Sequence, residues 1–62
     1  MMEYKKWRVA EAMLAQHGEN ANLNAEAIAL AAAKAGHPND VSFWTDIVIK
    51  IEHLAVSAQI RH

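Results

Sequence analysis

The sequence predicts an all-α fold, a compact three-helix domain with an antiparallel first pair and a longer third helix, associating through that third helix. Three observations carry this. Apolar residues recur at helical intervals in three separate segments. Gly18 and Gly36, the only glycines, separate those segments, and Pro38 follows the second one closely. The middle segment is dense in Ala, the strongest helix former.

The first helix is expected from Glu3 to about Gln16, with Trp7, Ala10 and Leu14 on one face and Lys5, Arg8 and Glu11 on others. Gly18 is its stop, because glycine accepts the left-handed backbone common just past a helix end. The polar stretch "GENAN" then connects to "AEAIALAAAKAG". Asn22 or Asn24 is expected to cap this second helix, with Glu26 in its first turn, where the helix dipole favours a negative charge. Gly36 and Pro38 end it, and Asn39 or Asp40 is expected to cap a third helix from about Val41 to about Gln59 or beyond. Its β-branched stretch "FWTDIVIKI" continues at helical spacing through Leu54, Ala55 and Ala58, so helix is preferred over strand.

A chain of 62 residues makes one domain, residues 1–62. A domain this small buries only about 60% of the surface its unfolded chain exposes. The apolar fraction of 53% is enough for a core, yet much of it is Ala, which fills space only where helix backbones approach closely. There is no Cys, so no disulfide supports the fold. A net charge of −1 gives no field to attract nucleic acid or an anionic membrane. The start "MMEYKKWRVAEAML" lacks the apolar run of a signal peptide, and no stretch approaches the roughly 20 apolar residues that span a bilayer. A cytoplasmic protein is expected.

At about 100° per residue, Trp44, Ile47, Val48, Ile51, Leu54, Ala55 and Ala58 gather on one side of the third helix, its core face. Ile49, His53, Val56 and Ile60 point roughly the opposite way. The second helix repeats this more weakly, with Ile28, Ala32 and Ala35 opposed to Leu23, Ala27 and Leu30, as a helix sandwiched between neighbours would. Single surface hydrophobes are ordinary. An aligned stripe is not, and Ile49, His53, Val56 and Ile60 are read as a partner-binding surface, most simply for a homodimer. His53 within it would make association depend on pH, since histidine changes charge near neutrality. Met2, Val9 and Met13 form a flexible apolar side on the first helix that extends such a surface.

Chemistry is sparse. The four histidines form no i, i+4 pair and there are no Cys ligands, so no metal and no cofactor are expected. Seven carboxylates scattered over three helices offer no evident acid/base pair, and Ser42 and Ser57 lack a glycine-flanked elbow. The protein is read as non-enzymatic. Trp7 and Trp44, each on an apolar face, are expected to anchor the core. The alternative function is a DNA-binding regulator, because "IALAAAKAGHPNDVSFWTDI" orders an Ala-rich helix, a turn and another helix as a helix-turn-helix does. It would use residues 41–50 and the Lys5, Lys6, Arg8 patch. Against it, the second of those helices begins Val41, Ser42, Phe43, Trp44, Thr45, Asp46, with no base before Lys50, whereas phosphate contacts come largely from Lys and Arg.

With Trp7, His17-Gly18-Glu19, the Ala-rich helix, Gly36 and Trp44 in order, the chain resembles a family of short bacterial helical proteins with a Trp, His-Gly, Gly, Trp pattern. The resemblance covers most of residues 4–54, and His37-Pro38 departs from the acidic residue that pattern has after its second glycine. It implies a compact helical fold and assigns no catalytic residue. In size and character the chain is also similar to phage-encoded inhibitors that block another protein. The function expected is therefore protein binding, by occlusion or scaffolding, with another copy or another protein as partner.

Overall fold

Both glycines take the left-handed backbone, Gly18 at φ +56° and Gly36 at φ +78°, and each stands where a helix ends. In the computed structural model, which describes the backbone of residues 2–60 and the side chains of residues 4–57, α1 spans Met2–His17. Gly18 opens a single 3₁₀ turn, Gly18–Asn20, where the sequence suggests an open polar connection. α2 follows at once as Ala21–Lys34, so it begins before both expected caps. Asn22 and Asn24 lie inside the helix, where the Asn24 amide donates to the Asn20 carbonyl at 2.9 Å. Glu26 is consequently beyond the first turn, which holds no acidic residue.

The end of α2 is a Schellman motif. Gly36 N–H donates to the Ala33 carbonyl at 3.2 Å and His37 N–H to the Ala32 carbonyl at 2.9 Å, which satisfies two carbonyls the helix would otherwise leave open. α3 runs Pro38–Ile60, starting three residues before the sequence suggests. Proline suits this first helical position, because its missing N–H would have no partner there. The His37 carbonyl accepts from Asp40 and Val41 N–H, both at 3.1 Å, so Asn39 and Asp40 are part of the first turn and not its cap.

The architecture is all-α with three helices, the third the longest, as the sequence predicts. α2 runs antiparallel to α3: Asn22 meets Glu52 at one end, while Ala33 shares a groove with Val41 at the other. α1 runs alongside α3 in its direction, from Lys6 at Asp46 to Leu14 near Ile51 and Ala55. The first two helices are therefore antiparallel, but they touch each other less than either touches α3. The sandwiched helix is α3, not α2. Side by side, the helices make a flattened body of 41 × 26 × 16 Å.

The core is thin because its material is small. Ala10, Ala21, Ala25 and Ala32 are buried with Ile47 and Ile51, and Ile47 is the one large side chain shown fully buried. Val9, Met13, Leu14, Phe43, Trp44, Val48 and Leu54 pack around this cluster and stay partly exposed. The expected core face of α3 thus holds at Ile47 and Ile51 and partly at Trp44, Val48 and Leu54, whereas Ala55 is exposed. The Ala58 side chain lies outside the described residues. In α2 the buried residues are Ala21, Ala25 and Ala32, whereas Ile28 is 39% exposed and Ala35 is exposed past the helix end. Among the described residues, no helix is long and apolar enough to cross a membrane.

Candidate protein-contact surface

α3 meets its two neighbours through different chemistry. Against α1 the seam is polar and aromatic. Lys6 Nζ reaches Asp46 Oδ2 at 2.7 Å, and the Lys6 ammonium holds the Asp46 carboxyl below its ordinary pKa by hydrogen bonding and charge. The Lys50 ammonium lies 5.1 Å from the Trp7 ring centre, and Lys50 is only 8% exposed, its stem buried in the seam. The Trp7 ring meets His53 edge to face at 6.1 Å. Trp7 therefore sits in this seam and not in the core cluster, while Trp44 packs on the core and against Phe43 at 5.4 Å.

Against α2 the seam is apolar, and it opens outward into a groove of about 400 Å³ lined by Ala29, Leu30, Ala33, Val41 and Val48, with Glu26 and Thr45 at its edges. Of the large aliphatics left in water, Leu30 lines this groove, and others stand elsewhere on α2 and α3. Leu23 is 65% exposed, Leu30 59%, Ile49 51% and Val56 53%. One turn beyond Thr45, α3 carries a separate hollow of about 240 Å³ lined by Ile49, Glu52, His53 and Val56. These four occupy i, i+3, i+4 and i+7, the four-residue hole that receives a side chain from a facing helix in knobs-into-holes packing. At its far end Asn22 Nδ2 donates to Glu52 Oε2 at 3.3 Å, tying α2 to α3 beside the surface.

Of the residues expected to bind a partner, Ile49, His53 and Val56 are exposed and share this one hollow. Ile60 is the last residue of α3, and its side chain lies outside the described residues. Val9 and Met13 pack against the core, so they do not extend an outer surface, and the Met2 side chain is outside the described set. Sequence reading missed Leu30, Val41 and Val48 as walls of one groove. Their pairing follows from the antiparallel register of α2 and α3, which Gly36 and Pro38 set through a tight turn. It also missed Glu52, a charged residue inside an apolar set.

The basic patch on α1 is divided. Lys6 turns inward to Asp46, and Arg8 donates to the Tyr4 hydroxyl at 3.0 Å while lying over the Tyr4 ring. Among the described residues, no group of three or more His, Cys, Asp or Glu side chains could hold a metal ion. No protein-family model, curated protein or solved structure matches the chain.

Proposed function

We propose that this protein is a non-enzymatic contact module that works by binding protein through the outer face of the α2–α3 hairpin, self-associating and acting by occlusion or scaffolding. The observation that carries this reading is an inversion of apolar material. The core is mostly Ala, while Leu23 and Leu30 on α2 and Ile49 and Val56 on α3 stand more than half exposed. Burying one such side chain is worth roughly 1.5–3 kcal/mol in transfer terms before ordering costs. For a domain of this size, covering several of them changes stability substantially.

The DNA-binding reading has less support. Lys6 is engaged with Asp46, and the exposed start of α3 offers Ser42 and Thr45 in place of basic side chains. A dilution series followed by amide NMR separates the two readings. Concentration-dependent shifts confined to residues 23, 30, 45–56 and their neighbours are the expected result. Concentration-independent spectra, with shifts at residues 5–12 and 41–50 on adding duplex DNA at low salt, would overturn the proposal.

A further inference from the structure

We infer that α1 is exchangeable between two copies of the chain: Gly18 straightens, α1 and α2 join into one continuous helix, and each copy's α1 packs on α3 of the other. The first argument is backbone. Residues 2–34 are helical throughout, interrupted by the single 3₁₀ turn, and Gly18 at φ +56° is the one residue among them in the left-handed region. His17, Asn20 and Ala21 on either side are all in the right-handed region. Rotation at Gly18, with small adjustments of its neighbours, therefore joins the two helices.

The second argument is phase. On one continuous helix, the buried residues Ala10, Ala21, Ala25 and Ala32 fall within about 60° of one another, and Trp7 and Leu14 fall in the same stripe. Val9 and Met13 lie to one side of it. Two helices joined by a turn need no shared phase, whereas one long helix does, because its buried residues must face one side. The straightened helix, roughly 50 Å long, thus keeps the same residues for burial. The third argument is the occupant. An exchanged α1 brings Lys6 to Asp46 and Trp7 to Lys50 and His53, contacts the chain already makes within itself. At Gly36 the same opening is blocked, since Pro38 would lie inside the helix with no N–H and its ring against the Lys34 carbonyl. Exchange therefore moves α1 alone and leaves the α2–α3 hairpin intact, so the dimer presents two of its outer faces.

Gly18→Ala tests this, because a Cβ there meets nothing within 4 Å and only the backbone angle is penalised. Alanine disfavours the turn and favours the helix, so the equilibrium should shift toward dimer by roughly a hundredfold. All variants are made in an Ile49→Lys chain, so that the outer face of α3 does not contribute, and are refolded at high concentration. Light scattering should then give a dimer for Gly18→Ala and a monomer for Gly36→Ala. With no native cysteine, spin labels at Lys5→Cys and Lys34→Cys read the hinge itself, in labelled chains diluted into unlabelled ones. In the hairpin these positions are close, since Lys6 lies at Asp46 and Ala33 near Val41 on α3. In one helix they stand roughly 45 Å apart. The expected result is a Gly18→Ala dimer with the long distance. A Gly18→Ala chain that stays monomeric, or a dimer that keeps the short distance, overturns exchange without touching the outer-face reading. Gly18→Asn, milder because asparagine tolerates the left-handed region, should give a dimer fraction between those of glycine and alanine; a fraction equal to that of the Gly18 chain would also contradict exchange.

Discussion

Ile47 and Ile49 are the same side chain, two positions apart on one helix, and one is fully buried while the other is 51% exposed. Propensity and hydrophobicity are identical at the two sites, so neighbours alone decide the difference. Ile47 lies where Ala10, Ala21 and Ala25 let three backbones come close. Ile49 lies on the side of α3 that neither α1 nor α2 covers. Small residues thus have two consequences. They allow tight packing on one face of α3, and they leave too little helix surface to wrap its other face.

Breaking the buried side gives the largest effect. Ile47→Ala removes the one large side chain shown fully buried, and urea or thermal unfolding should show a loss of about 2–5 kcal/mol, enough to unfold much of a small domain. Gly36→Ala follows. Its Cβ would meet nothing within 4 Å, so the cost is that of a side chain at φ +78°, about 1–2 kcal/mol in an unfolding titration. Asp46→Asn removes the tie between α1 and α3 and costs less again. The sign of its pH dependence is fixed: because Lys6 holds the folded-state pKa below 3.8, the native pair contributes fully above about pH 4 and its contribution is lost as pH falls through the lowered value. Native and Asp46→Asn melting temperatures should therefore differ near neutrality and converge in acid. Ile49→Ala, measured dilute enough to exclude association, should change stability by no more than about 0.5 kcal/mol. A loss comparable to that of Ile47→Ala would erase the distinction between the two faces.

Much of the fold is legible in the sequence, for local reasons. Gly18 and Gly36 mark two helix ends because only glycine takes those backbone angles cheaply, and the split of α3 into two apolar stripes follows from helical spacing. Helix starts were less legible. Asn22, Asn24, Asn39 and Asp40 all qualify as caps by residue type, but the 3₁₀ turn at Gly18 and the His37 carbonyl before Pro38 begin each helix earlier. Which helix stands in the middle was not legible either, since that depends on how far α1 reaches along α3. The ties that set it, Lys6 to Asp46 and Trp7 to Lys50, join residues some forty positions apart that carry no mutual signal in one sequence. Of the candidate surface, Ile49, His53 and Val56 could be read from spacing on one helix. The groove with Leu30 and Val41 needed the register between two helices.

If the uncovered face of α3 is an interface, association depends on Ile49 and Val56. Molar mass by light scattering across a dilution series, comparing the native chain with Ile49→Lys/Val56→Lys, decides this. The expected result is a native dimer that dissociates on dilution, and a doubly substituted chain that is monomeric throughout with unchanged helix content. A native monomer at all concentrations, or a doubly substituted chain that still dimerises, would contradict it.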